Sequence, residues 1–286
     1  MADEIIDGYK LQNLMMTGQS SQVWEVVEVS SHRHFAMKLL LPENAANSEH
    51  RRLLFHEANV GKALAHPNII RIINVNREGK NPNFVMEFFP GGSLKLRLMR
   101  KQHDFIREQA LGICKQAATA LAFMNAKGWV HRDVKLDNLL VSSAGDLRLI
   151  DFALAKKVER PGFFGGLFRK KPKAMGTRSY MSPEQIRGEP LDGRADVYSF
   201  GATCFELVTG RPPFRGASAQ ELLTKHITEK PPSPRIYNPD VTDEFSELVI
   251  HMLQKKRDQR PRDFHEVLMK LKTIRVFKGV EAKPPM

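Results

Sequence analysis

The octet HRDVKLDN, His131–Asn138, runs straight into the apolar residues Leu139–Val141. It sets two carboxylates, a lysine and an amide in one short loop. A helix-to-strand turn with capping residues is the plain reading of such a place, and the full octet counts against it. A third carboxylate follows one short hairpin later, in LIDFALAK, Leu149–Lys156. There Asp151 either ends a buried-edge strand in an ordinary turn or offers its oxygens to a hard metal ion at the strand's exit. Those residues by themselves leave both readings open, so the rest of the chain has to decide.

A chain of 286 residues can bury a substantial core, as one large domain or two packed lobes. Its composition, 42% hydrophobic and 27% charged, is that of a globular protein rather than a disordered one. The N-terminus MADEIIDGYK has no apolar centre and does not read as a secretory signal. No stretch approaches the roughly 20 apolar residues that span a bilayer, so a chain without a membrane span, located in the cytoplasm, is expected. Cys114 and Cys204 are too few and too far apart in sequence for a disulfide framework or a zinc site. The net charge of +12 permits an anionic partner. The basic residues are nevertheless spread along the chain, with no zinc-finger, RNP-type or leucine-zipper pattern, and nucleic acid is not the expected partner.

Alternating apolar and β-branched residues predict strands over residues 9–15, 22–29, 35–41, 69–75 and 84–89. Leu53, Leu54, Val60 and Leu64 recur at helical spacing and predict a helix over 49–64, closed by His66-Pro67-Asn68. Pro90–Ser93, PGGS, is a natural break. Beyond it the pattern turns helical, over 106–127, 194–209, 219–228, 243–253 and 262–271. The 194–209 segment is apolar around much of its circumference and is expected to be buried.

Three further stretches complete a set. FAMK puts Lys38 in a strand, Glu57 lies on the next helix, and MSPE ends at Glu184. Taken in order, strand lysine, helix glutamate, HRD loop, DF loop and PE, the chain resembles the Ser/Thr protein kinases, and the bacterial group in particular. The resemblance runs from about Tyr9 to Leu271. It implies an α+β, bilobal kinase-like fold in a single domain over 1–286. In that division 9–89 is a small strand-rich lobe with one main helix, 90–93 the exit from a hinge, 94–272 a larger helical lobe, and 273–286 a tail or the start of a linker.

The resemblance also implies roles. Asp133 orients the incoming hydroxyl, Lys135 stabilises the transferred phosphoryl, and Lys38, held by Glu57, meets the α- and β-phosphates. Thr177 organises Asp133 and Lys135. Asn138 and Asp151 hold Mg2+, with Mn2+ as the alternative ion. ATP is expected between the lobes. Val23 and Ala36 are expected above the adenine and Leu140 below it, with Gly18 in the phosphate loop. Glu87 and Phe89 supply the hinge backbone, and Met86 is the gatekeeper. Glu184 is expected to pair with Arg260, and Asp196 to brace the catalytic loop. Both Asp133 and Lys38 are expected to face a solvated cleft. Lys135 and the GTRSYMSPE segment, Gly176–Glu184, point to Ser or Thr acceptors in a protein substrate.

Departures from the family pattern are equally specific. In the glycine-rich loop, MTGQSSQV (Met16–Val23) keeps only Gly18 and Val23. Ala153 replaces the DFG glycine, which penalises a left-handed backbone there and implies a stiffer loop. Gly61, one turn beyond Glu57, stands where the family packs a large apolar residue, which implies a looser helix. Between Asp151 and Gly176 there is no Ser, Thr or Tyr, and RKKPK at Arg169–Lys173 is a candidate contact for an anionic partner. The alternative to an active kinase is a pseudokinase acting as a nucleotide-binding scaffold. A small-molecule kinase and a nucleic-acid module rank behind it.

Overall fold

A computed structural model describes residues 4–78, 80–158 and 176–280. Two compact units emerge, one of residues 1–90 with 150–153, the other of 91–149 with 154–286. The first contains an antiparallel sheet built from β1 (Ile5–Ile6), β2 (Tyr9–Thr17), β3 (Ser21–Glu28), β4 (His34–Leu40), β5 (Ile72–Asn76) and β6 (Asn83–Glu87), in the order β1-β2-β3-β4-β6-β5. Its helix, α1 (Ser48–Lys62), starts where the Asn47 side chain accepts from the Glu49 and His50 amides at 2.9 and 3.1 Å.

The period-two alternation of β4 sorts its side chains. Phe35, Met37 and Leu39 enter a core with Ile6, Tyr9, Val26 and Val85, which leaves Ala36 and Lys38 on the opposite face. The predicted strand over 69–75 is shorter than its apolar run. Ile69 and Ile70 are buried, but the ladder begins at Ile72. Ile69 makes only an isolated bridge and Ile70 none, and burial accounts for both as apolar positions.

Gly61 corrects an expectation. The glycine leaves no slack in α1, because a Cβ built there would stand 2.6 Å from Ile72 Cγ1 and 3.5 Å from the Phe152 ring. Ile72 already fills the space that a larger residue on the helix would take. Gly61→Ala is therefore expected to destabilise the protein by about 1–3 kcal/mol through overpacking. In an Ile72→Ala background the sign reverses, since alanine is then the better helix former by about 1 kcal/mol. Urea unfolding of the single and double variants measures this, and equal effects in both backgrounds would refute the account.

The second unit is mainly helical, as predicted. β7 (Gly91–Ser93) leads into α2 (Leu94–Met99) and the long α3 (His103–Ala126). β8 (Trp129–Val130), β9 (Leu139–Ser142), β10 (Leu147–Leu149) and β11 (Lys156–Lys157) follow, making a β10-β9-β7 sheet and a β11-β8 pair. The remainder is α4 (Pro183–Arg187), α5 (Gly193–Thr209), α6 (Ala219–Thr228), α7 (Asp243–Met252) and α8 (Phe264–Thr273). Residues 195–208 of α5 are buried without exception, in line with a helix apolar all round. Cys114 and Cys204, 90 positions apart in sequence, meet in the α3–α5 packing with sulfurs 3.8 Å apart. Among the described residues no helix is long and apolar enough to cross a membrane.

Candidate active site

In the first unit, Lys38 projects from the non-core face of β4 and its Nζ lies 2.6 Å from Glu57 Oε2. Helical spacing puts Glu57 on the buried face of α1 with Leu54, Ala58 and Gly61. Burial pushes the Glu57 carboxyl up to about 7 against the pull of Lys38. Burial also works against the Lys38 ammonium, but the Glu57 and Asp151 carboxylates outweigh it and hold its pKa above the ordinary lysine value.

The sign of the Glu57 effect follows from proton counting. Between about pH 4.5 and 7 the folded carboxyl keeps a proton that the unfolded chain has released. Stability therefore falls as pH rises through that window, by about 3 kcal/mol at 1.36 kcal/mol per pH unit. Glu57→Gln should remove this slope, so the difference in urea stability between variant and native chain should widen from pH 4.5 to 7.5. Parallel curves would contradict it.

Asp151 has a left-handed backbone, φ 65°, and its Oδ1 accepts from the Ala153 amide at 3.3 Å. Phe152 beside it is buried. The strained position is thus the aspartate itself. Ala153 is not among the non-glycine residues with positive φ, so its Cβ meets no backbone penalty in this arrangement.

The second unit assembles the HRD loop around Asp196, which is fully buried on α5. Its carboxylate accepts from the His131 and Arg132 amides at 2.8 and 2.9 Å and from Asn125 Nδ2 at 3.0 Å. These bonds hold Arg132 in the left-handed region at φ 71°, a conformation that persists only where the surroundings enforce it. The bracing expected of Asp196 is present.

Next along the loop, Asp133 is only 8% exposed. Its Oδ2 accepts from Lys135 Nζ at 2.6 Å and its Oδ1 from the Thr177 amide at 2.8 Å. Lys135 Nζ reaches Thr177 Oγ1 at 2.8 Å as well, which closes a three-residue ring. Burial raises the Asp133 pKa, but the bonds from Lys135 and Thr177 prevail and hold the carboxyl below its usual range. Asn138 turns its Nδ2 to the Asp133 carbonyl at 2.9 Å, which leaves its amide oxygen for another partner. Two side chains expected on solvated walls, Asp133 and Lys38, are instead largely enclosed, at 9% and 16% side-chain exposure.

The segment after Thr177 is tied down from several sides. Gly176, at φ 126°, lets the chain pass the Arg132 carbonyl, which would stand 2.9 Å from a Cβ. Gln185 Nε2 donates to that same carbonyl at 2.8 Å. Glu184 and Arg260 form the expected pair, bidentate at 2.7 and 2.9 Å. A second ion pair, buried at its carboxylate only, escaped sequence reasoning. Glu206 on α5 accepts from Lys95 Nζ at 2.6 Å and from the Tyr180 hydroxyl. Burial and Glu206 both push that phenol well above its ordinary range. Lys95 and Glu206 lie 111 positions apart, and no local pattern connects them.

Of the residues expected at the nucleotide, Val23 on β3, Ala36 on β4 and Phe89 are buried, and Met86 and Glu87 at the end of β6 are half-buried. All belong to the first unit with Gly18, whose amide donates to the Ser21 carbonyl at 2.8 Å in the β2–β3 turn. Leu140 lies half-buried on β9 of the second unit. The basic run Arg169–Lys173, assigned to an anionic partner, falls outside the described residues.

The protein kinase domain model matches residues 9–271. The chain is 31% identical over 283 residues to the serine/threonine-protein kinase PknB of Mycolicibacterium smegmatis, covering 98% of this chain and 44% of that protein. With PknA of Mycobacterium tuberculosis, also named a serine/threonine-protein kinase, the identity is 34% over 259 residues, 89% of this chain and 58% of the relative. A probable serine/threonine-protein kinase of Clostridium acetobutylicum is 28% identical over 267 residues, 93% of this chain and 40% of the relative. The chain thus spans 40–58% of the length of these curated relatives.

Proposed function

The chain belongs to the protein kinase family, and on that premise we propose that it moves the γ-phosphate of ATP to Ser or Thr hydroxyls of a protein substrate with Mg2+ present. The observation that carries the reading is the closed ring of Asp133, Lys135 and Thr177. Phosphoryl transfer needs positioning and charge neutralisation more than covalent help, and the ring offers both. Asp133, kept ionised, accepts the hydroxyl proton and aims the oxygen. Lys135, already bonded to that carboxylate, faces the charge that develops on the phosphoryl group. Lys38, braced by Glu57, meets the α- and β-phosphates. Gly18 takes the phosphate loop, Val23, Ala36 and Leu140 the adenine, and the Glu87 and Phe89 main chain its polar edge.

The donor set suits a hard cation. Asn138 has its amide oxygen turned away from the bond to Asp133, and Asp151 uses one oxygen on Ala153, so each retains an oxygen of the kind Mg2+ prefers. Bound there, the ion would neutralise phosphate oxygens. A cytoplasmic location belongs to the same proposal through the supply of ATP. So does an anionic partner for Arg169–Lys173, on the ground that seven basic residues face two acidic ones between Asp151 and Gly176.

The deciding experiment incubates the chain with γ-labelled ATP, Mg2+ and a generic protein substrate, then identifies the labelled residue. Label on serine or threonine, lost on chelation of the metal, is the expected result. Nucleotide binding without any transfer would establish the scaffold alternative instead.

A further inference from the structure

Beside the Thr177 segment the second unit has an open groove of about 590 Å3, lined by Thr177, Ser179 and Met181 on one side and by Gly216, Ala219 and Leu222 on the other. The second wall is the start of α6, which packs against the Arg178–Tyr180 turn. What fixes α6 therefore fixes the groove. Its C-terminal turn meets Lys255, whose Nζ donates to the carbonyls of His226 at 2.9 Å and Lys225 at 3.3 Å and to the Tyr198 hydroxyl at 3.3 Å. Tyr198, buried on α5, lies 3.0 Å from His226 Nδ1 through the same hydroxyl. His226 is fully buried on α6, and the Ser179 main chain acts on its ring. Phe214 packs edge-on to that ring at 4.9 Å and lies 4.0 Å beneath Lys255 Nζ.

A packing role alone does not explain Lys255. Among the described residues no carboxylate lies within ion-pair distance of it, and enclosing an ammonium without one is costly. Burial, then the nearby Arg260, hold its pKa down to about 7 against the weaker pull of the Glu229 carboxylate, and an apolar side chain would fill the space without that cost. The geometry does suit a cation at the negative end of a helix, here on last-turn carbonyls that also accept from the Glu229 amide, at Lys225, and from the Tyr198 hydroxyl, at His226.

We propose that Lys255, Tyr198 and His226 are positioning residues that pin the C-terminal end of α6, and through it the groove that receives the polypeptide beside the accepting hydroxyl. None touches the reacting atoms. The inference rests on the kinase reading above and adds to it the residues that govern affinity for protein rather than nucleotide.

The test uses the full chain with Lys255→Met, which keeps the stem over Phe214, Tyr198→Phe, which removes one oxygen, and Lys255→Arg as the conservative change. Steady-state phosphorylation of a Ser/Thr peptide is compared with peptide-free ATP hydrolysis, and amide exchange is followed over residues 219–228. Lys255→Met should raise the peptide KM about tenfold, as expected for a lost charge-assisted hydrogen bond. Tyr198→Phe should raise it less. The KM for ATP and the hydrolysis rate should stay within about twofold, α6 amides should exchange faster in both variants, and Lys255→Arg should restore part of the peptide affinity. An unchanged peptide KM in Lys255→Met, or an equal fall in peptide-free hydrolysis, would overturn the assignment while leaving the kinase reading intact. If the native chain phosphorylates nothing, both fall together.

Discussion

Asp133→Asn should lower phosphoryl transfer by about a thousandfold, the usual scale for losing a positioned general base. The substitution keeps the shape and removes the charge that Lys135 Nζ meets at 2.6 Å and the Thr177 amide at 2.8 Å. The one side-chain oxygen left can accept from Lys135 or from the Thr177 amide but not from both as the carboxylate does, so the ring opens. Because Asp133 is enclosed rather than solvated, some loss of stability accompanies the loss of rate, on the order of 1–2 kcal/mol for a weakened charge-assisted hydrogen bond. Rate and stability must therefore be measured on the same preparation, at a temperature well below unfolding. Lys38→Met should be comparably inactive for a different reason, since it strands the Glu57 carboxyl in a buried site. Nucleotide-binding titrations separate the two. Asp133→Asn should still bind ATP with near-native affinity, whereas Lys38→Met should not. Turnover by Asp133→Asn within tenfold of the native chain would rule out the assigned role.

The chemistry of this site was legible because its residues are local in sequence. Asp133, Lys135 and Asn138 fall within six positions, so spacing alone displays them. Most longer helices were legible for a related reason, since they bury one face and repeat their apolar residues at that period, whereas α5 was legible from an apolar character all round. Relations between distant residues escaped. Nothing near Glu206 announces Lys95 or Tyr180, and nothing near Gly61 announces that Ile72 has taken its space. Short elements escaped too. The six residues of α2 and the three of β7 are too brief to show a period, and β7 exists only through its pairing with β9. Ala153 was read through a family position where glycine is usual, yet the positive φ belongs to Asp151. A sequence shows which residue departs from a pattern and only the backbone shows which residue bears the strain.

The Glu184–Arg260 pair shows how an expected contact can matter more than its sequence signature suggests. Arg260 side-chain exposure is 0% and that of Glu184 is 2%. A guanidinium has five N–H donors, and five acceptors surround this one. Nε donates to the Gln254 carbonyl at 2.7 Å. Nη1 serves Glu184 Oε1 at 2.7 Å and the Arg194 carbonyl at 2.8 Å. Nη2 serves Glu184 Oε2 at 2.9 Å and the Lys255 carbonyl at 3.0 Å. The face of the guanidinium lies 4.9 Å from the Tyr198 ring centre. Arg260→Ala leaves a buried carboxylate without its partner and takes one donor from each of three carbonyls, so it should destabilise the second unit by about 3–5 kcal/mol. Arg260→Lys is the sharper test. Lysine keeps the charge but has three donors on a point-like head, which cannot meet two carboxylate oxygens and three carbonyls at once. It should recover less than half of the loss. Glu184→Gln, which keeps the shape and one acceptor, should cost less than Arg260→Ala, because the arginine retains its three carbonyls. Denaturant midpoints for the three variants give that order directly. Near-native stability in Arg260→Lys would mean that charge alone, and not the five-donor fork, holds α4 to the Gln254–Arg260 turn.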